Sequence, residues 1–411
     1  MNKKLVTLAV AAAMAAPAAA MADATLYGKL NVGISYMDQE DGFKGWGLSD
    51  NQAIKSGWVN QGTLEGSKYV QVKNPFVVTP QGPANRIGVK GSEDLGNGLK
   101  AIYQIELGFS LSDSNNNGAV GNEAITMRNT FAGLAGGWGT VLAGRHDTPL
   151  KISTGPLDLF ADTMADYNNT VGFMDLRVDN AVAYISPSFS GFTFAAAVHA
   201  GGGATALGGK DAAAGWNPNS DSLAEGYSFA GIYKNGPWYA SLAYEGLNGD
   251  LACNTDFCDA ETWGKWRVGL GILDWNGFTL TGIYEGWDNG YWADEAKADL
   301  WNVQAGYTFG NFMIKAMYGS NTQKDIASPA GFVETPLADY AACAGCREDF
   351  NYKSWSFGVD YNMSKRTKAF LLYTANDADE LDLINASTGL YAPETQGIDW
   401  NGFQLGMMHN F

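Results

Sequence analysis

Thr25-Leu26-Tyr27-Gly28-Lys29-Leu30-Asn31-Val32-Gly33-Ile34-Ser35-Tyr36 alternates with a period of two residues. Leu26, Leu30, Val32, Ile34 and Tyr36 share one parity, and Thr25, Lys29, Asn31 and Ser35 share the other. Successive side chains of a β-strand point to opposite faces, so this segment has one apolar and one polar surface. The pattern returns at 100–110, 301–309 and 354–362. It closes the chain, where Phe403, Leu405, Met407, His409 and Phe411 oppose Gln404, Met408 and Asn410. Each run is about 9 to 13 residues, the length that crosses a bilayer at a tilt of about 45°. Strands of soluble sandwiches average nearer five or six residues and turn their apolar face inward.

The connections alternate in length. Tight turns fall at 94–98, 136–137, 188–190, 235–236, 276–277, 310–311 and 363–366. Long polar or Gly-rich loops fall near 38–84, 111–124, 147–178, 200–225, 247–262, 289–298, 321–351 and 377–398. Seven turns and eight loops join sixteen strands. In hydrocarbon every backbone N–H and C=O must be paired, so membrane-crossing strands have to close on themselves. The fold class expected is all-β: a transmembrane antiparallel β-barrel of about sixteen strands with short periplasmic turns and long external loops.

The N-terminus agrees with export. Lys3 and Lys4 precede an apolar stretch over 5–16, and Ala20-Met21-Ala22 forms a small-residue cleavage site. Residues 1–22 are expected to be a cleaved signal peptide and 23–411 a single barrel domain. No later run reaches about eighteen apolar residues, so no transmembrane helix is expected. The 411 residues include 52 Gly, 19 Tyr, 20 Phe and 13 Trp, a composition that suits tightly turned strands with interfacial rings. Tyr27, Trp138, Phe192, Trp238, Phe278 and Phe312 lie near short turns, and Tyr36, Tyr244, Tyr284 and Tyr318 near long loops. They are expected to form two girdles. Formal net charge is −17, and loss of Lys3 and Lys4 brings the mature chain to −19. Such a balance excludes a phosphate-neutralising nucleic-acid surface.

No catalytic constellation stands out. His146, His199 and His409 have no metal-ligand spacing, and the Gly-rich run 201–210 has Ala204 and Asp211 where a phosphate loop needs Gly and Ser or Thr. No cofactor, no metal and no enzyme activity are expected. Four cysteines form two close pairs, Cys253/Cys258 and Cys343/Cys346, each in an expected external loop. An oxidising compartment favours disulfides, with pairing inside each loop expected ahead of a bridge between loops or a four-thiolate metal site. Asp377, Asp379 and Glu380 read as a solvated loop rather than a Ca²⁺ or lipopolysaccharide bridge.

In its landmarks the sequence resembles the general diffusion porins of Gram-negative outer membranes, in particular the beta-proteobacterial and neisserial type. These are Thr25-Leu26-Tyr27-Gly28-Lys29, Asn85-Arg86-Ile87-Gly88-Val89-Lys90-Gly91, and Glu93-Asp94-Leu95-Gly96-Asn97-Gly98-Leu99-Lys100-Ala101. Gly133-Leu134, Gly139-Thr140, Gly144-Arg145, the stretch 180–184 with Ser186-Pro187, and the terminal Phe411 follow in order. The resemblance implies a sixteen-stranded barrel in the outer membrane, usually a homotrimer, with the third external loop folded into the lumen. It implies a passive channel for ions and small hydrophilic solutes, in contact with the lipid bilayer and lipopolysaccharide. It also implies that Phe411 is the signal read by the barrel-assembly machinery.

The third loop, about 147–178, carries Asp158, Asp162, Asp166 and Asp175. Period two puts Lys29, Arg86, Lys90, Lys100 and Arg128 on the polar parity of their strands. The resemblance points to Lys29, Arg86, Arg145 and Arg177 as a basic ladder facing the loop acids. Arg145 shares parity with Val141 and Ala143, and a bulge at Gly144 would be needed to turn it inward. Opposed carboxylates and cations across a narrow passage make a transverse field that orients dipolar solutes and penalises apolar ones. Two other readings remain: a substrate-selective porin, and a receptor or adhesin barrel whose loops carry the function. The bulk negative charge and the basic ladder argue opposite ion selectivities, and charges beyond about 8–10 Å are screened at physiological salt.

Overall fold

The computed structural model describes residues 24–39, 44–49, 85–109, 125–200, 222–248, 262–288, 297–327, 340–341, 347–378, 384–385 and 399–411. Residues 1–22, the run 201–210, Asp379 and Glu380 lie outside the described residues. So do Cys253, Cys258, Cys343 and Cys346. The expected Cys253–Cys258 and Cys343–Cys346 pairings therefore fall outside the described residues.

Sixteen antiparallel strands close into a barrel. They are β1 Thr25–Gln39, β2 Arg86–Gly96, β3 Leu99–Phe109, β4 Ile125–Met127 continued by Thr130–Gly136, β5 Gly139–Asp147 and β6 Arg177–Ile185. Then come β7 Phe192–His199, β8 Gly226–Asn235, β9 Trp238–Leu247, β10 Trp263–Trp275 and β11 Phe278–Asp288. The last five are β12 Lys297–Phe309, β13 Phe312–Ala327, β14 Arg347–Asn362, β15 Thr367–Ala378 and β16 Trp400–Asn410. Each strand pairs with the next, and β1 closes the ring. Its residues 29–39 pair with β16 and its residues 25–29 with β2. A short strand, Lys44–Ser49, runs beside the upper half of β1.

Burial is inverted relative to a soluble protein. Leu242, Leu270, Ile105 and Val303 are exposed on the outer face, while Lys265, Arg267, Glu285, Asn302 and Gln304 are buried inside. Hydrocarbon outside and a polar lumen inside would produce this inversion. Ser35, Asn31 and Gly33 of the opening stretch are buried, and Leu26 and Ile34 are exposed, so its polar parity faces inward.

Seven short turns sit at one rim. At the β10–β11 turn, Asn276 (φ 52°) and Gly277 (φ 86°) take the left-handed backbone that a two-residue hairpin needs. Phe192, Trp238, Phe278 and Phe312 are exposed near this rim, and Tyr244 and Tyr318 near the other. Tyr27 corrects the girdle assignment. It shares the inward parity of Lys29, packs over Gly88 and donates its hydroxyl to Glu106 (2.9 Å), so it belongs to the lumen.

At the opposite rim the third connection, 148–176, is described throughout. It begins with α1 Pro149–Thr154, capped by the Thr148 hydroxyl, and a 3₁₀ turn at Gly155–Leu157. It continues to α2 Tyr167–Thr170, where the Asp166 carboxylate accepts the Asn168 N–H. Pro149 at the first helical position supplies a preset φ and needs no donor there. The connection folds into the barrel: Leu150, Leu157, Phe160, Met164, Val171 and Leu176 are all nearly or wholly inaccessible.

Candidate functional site

An apolar segment can enter a polar lumen only if the wall makes room for it, and glycines on the inward parity of five strands do so. The Leu157 side chain fills the space above Gly269 and Gly271 of β10, where an added Cβ would lie 2.6 and 2.8 Å from its methyl carbons. Leu159 lies at Gly306, Val171 at Gly319, Phe160 at Gly358 and Met164 at Gly402. These glycines act as sockets for the loop, and interior packing is too dense to admit even one more methyl there.

Polar groups complete the docking. Gln304 receives the Leu159 N–H (2.7 Å) and donates to Asp158 (3.1 Å). Gln404 accepts the Met164 N–H (2.9 Å), and the Asn321 and Asn376 side chains each donate at 3.0 Å to Val171 and Thr170 carbonyls. Thr281 donates to the Leu157 carbonyl and Tyr239 to that of Ser153. All these wall residues belong to β9–β16, so the loop lies against that side.

The four loop carboxylates meet different partners. Asp162 lies 2.5 Å from the Lys29 ammonium and 3.5 Å from the Arg86 guanidinium. Lys29 and Arg86 are direct register partners on β1 and β2. Like charges directly opposite each other repel, and the Asp162 carboxylate placed between them removes that cost. Asp162 (φ 63°) takes a left-handed conformation to reach them, and its carbonyl also accepts a bond from Asn31. Burial alone would raise its pKa; Lys29 and Arg86 outweigh this and hold it well below the usual carboxylate range.

Asp175 faces the other wall. It pairs with Arg267 (2.5 Å), which also pairs with Glu285 (2.5 Å) and donates to Thr154 (2.9 Å), all fully buried. Burial opposes its ionisation, and Arg267 and Lys151 reverse that and lower its pKa. Asp158 accepts the Phe160 N–H (2.9 Å) and the Gln304 amide, and burial followed by the nearby Asp166 pushes its pKa well up. Asp166 caps α2 and receives the Asp162 N–H (2.9 Å). Of the four acids, Asp162 is the one brought against the basic wall; Asp158, Asp166 and Asp175 hold the loop's own shape and its seat.

The basic residues divide likewise. Arg128 pairs with Glu106 (2.6 Å), and Lys90 lies over the Tyr27 ring at 5.0 Å. A register shift between Gly144 and His146, with Gly144 at φ 142°, interrupts the alternation where Arg145 sits, and Arg145 pairs with Asp179 (2.5 Å). Arg177 is buried at the root of the loop, against Asp147 (2.9 Å) and Asn129 (2.8 Å). Beside it the Thr148 N–H donates to the Leu176 carbonyl (3.1 Å) and closes the stem. Phe411 exchanges two backbone hydrogen bonds with Gly28 and occupies the space a Cβ there would need.

Residues 7–381 match the family described as Gram-negative porin. The chain belongs to that family. An outer membrane porin of Bordetella pertussis is 27% identical over 95% of this chain and 98% of its own. The major outer membrane protein P.IB of Neisseria gonorrhoeae is 28% identical, covering 90% of this chain and 92% of its own. Among solved structures, the anion-selective porin from Comamonas acidovorans superposes with a TM-score of 0.60 at 19% identity, covering 94% of this chain and 99% of its own. OmpF of Salmonella typhi gives 0.58 at 15% identity, over 94% and 97%. The protein is thus a porin of the outer membrane, a non-enzymatic diffusion channel.

The charged residues that seat the porin's loop on the far wall, Arg267, Lys265, Glu285, Lys315 and Asp360, were absent from the sequence-based site. Their signal was present: Lys265 and Arg267 alternate with Trp266 and Val268 on the inward parity of β10.

Proposed function

We propose that solutes cross this porin through the passage between loop 148–176 and the wall formed by β1–β6, beside the bridge of Asp162 to Lys29 and Arg86. The observation that carries this reading is the bridge of Asp162 to both cations, at 2.5 and 3.5 Å. The rest of the loop is bound to β8–β16, so its remaining edge is the one that screens solutes. In a water-filled constriction these opposed charges make a transverse field; ions and dipolar molecules align with it, and apolar solutes lose hydration without compensation. The assembly is a homotrimer in this reading, as one solved neighbour, the trimer form of Vibrio cholerae OmpT, is titled (TM-score 0.54, 14% identity).

The test is the reversal potential of reconstituted protein in a KCl gradient. Asp162→Asn leaves Lys29 and Arg86 unbalanced and shifts the potential toward anion passage. Lys29→Met with Arg86→Met shifts it toward cations. Identical potentials in all three proteins would place the selectivity elsewhere. Native mass in detergent checks the trimer.

A further inference from the structure

Beneath the loop, toward the short-turn rim, a cavity of about 260 Å³ lies between Asp158 and Leu159 of the loop and the ends of β1, β14, β15 and β16. Short turns are the periplasmic side of such barrels. Four cations line it: Lys29, Lys365, Arg366 and Lys368. A fifth, Lys315, stands directly behind, donating to the Leu159 carbonyl (2.7 Å).

The carboxylates nearby pair with Lys29, Lys315 and Lys368 but leave part of this set uncompensated. Asp162 is held by Lys29 and Arg86. Asp360 is shared between Lys315 (3.0 Å) and Lys368 (2.8 Å). Asp158 turns its oxygens to the Phe160 N–H, the Gln304 amide and the more distant Tyr167 N–H, and burial favours its neutral form. Among the described residues neither Lys365 nor Arg366 has an ion-pair partner. The turn that presents them is fixed. The Ser364 hydroxyl accepts the N–H groups of Arg366 (3.1 Å) and Thr367 (3.0 Å), and the Thr367 carbonyl accepts those of Met363 and Ser364.

We propose that this cavity is a binding site for small multivalent oxyanions, of which inorganic phosphate is the simplest, on the periplasmic side of the constriction. A guanidinium fork and ammonium groups converging on one space match the oxygens of such an ion. The volume is below the roughly 300–1,000 Å³ of pockets for drug-sized ligands, which suits an ion with a few waters. Thr367 and Asn410 supply neutral polar groups, and Met408 and Leu159 exclude part of the surrounding water. The site shares Lys29 with the constriction proposed above but does not depend on Asp162. Its effect is to concentrate oxyanions at one mouth, so the channel responds differently to phosphate from its two sides.

The test is chloride current through single reconstituted channels, with phosphate added to each chamber in turn at constant ionic strength. Phosphate is expected to reduce the current saturably from the short-turn side. Lys365→Gln with Arg366→Gln weakens that effect roughly tenfold, the size expected from two exposed charge contacts. Lys297→Gln with Lys324→Gln removes the same charge at the long-loop end, beside Asp299, and leaves the effect unchanged. Equal losses in the two double variants, no loss in the first, or a response that never saturates would overturn the site. A channel that still passes small sugars while showing no saturable phosphate effect refutes the site and leaves the diffusion pore standing.

Discussion

At Asp162 one side chain carries both electrostatic and steric consequences. Its carboxylate compensates two cations that would otherwise repel across β1 and β2, and it does so from the loop side of the passage. The pH dependence follows with a definite sign. The folded pKa lies below the unfolded value of about 3.9, so the stabilisation it gives the loop is complete above that value and fades only as pH falls through the lower folded pKa. The difference in reversal potential between wild type and Asp162→Asn should therefore stay constant from pH 8 to about 4 and close only below that. A difference that vanishes by pH 6 would mean that Asp162 does not keep its charge in the constriction. Arg267 is the second decisive residue. Arg267→Met leaves Asp175 and Glu285 buried and unpaired, which costs about 3–5 kcal/mol. The measurable results are a lower temperature for heat unfolding and a raised single-channel conductance as the loop leaves its seat.

The element that we propose screens solutes is the loop, and its seat is made of absences. Gly269, Gly271, Gly306, Gly319, Gly358 and Gly402 leave room for Leu157, Leu159, Val171, Phe160 and Met164. Gly319→Val or Gly358→Leu should each cost about 1–3 kcal/mol through overpacking and increase conductance, with strand content by circular dichroism unchanged. The same element shows where sequence reading stops. The strands were legible because parity is a local property: Leu26 to Tyr36 and Phe403 to Phe411 state which face is wet without reference to any other segment. The seat of the loop depends on residues far along the chain, from 86 positions away for Tyr239 and Ser153 to 240 for Gln404 and Met164. A glycine, moreover, has no side chain by which to declare a parity. Asp158 and Asp175 are the same residue type as Asp162, and only their surroundings in the folded loop separate them. Arg145 could be placed on the ladder only by the resemblance and an expected bulge, because the shift between Gly144 and His146 resets the alternation. Tyr27 lies near a turn, as a girdle residue would, but its parity with Lys29 puts it inside the lumen.

At the scale of the whole molecule the barrel needs little explanation beyond its two solvents: an apolar exterior and a polar interior require alternation and closure, and closure removes every free edge. The net charge of −17 says less about conduction than the few charges near the passage, because screening confines each charge to its surroundings. In the function proposed above, loop 148–176 narrows the channel. The most direct measurement is the swelling rate of liposomes containing the protein in sugars of increasing size, for wild type and for Arg267→Met. Wild type is expected to admit small sugars and exclude larger ones, and Arg267→Met to move the cut-off upward. Swelling by no sugar, or an identical cut-off in the two proteins, would contradict it.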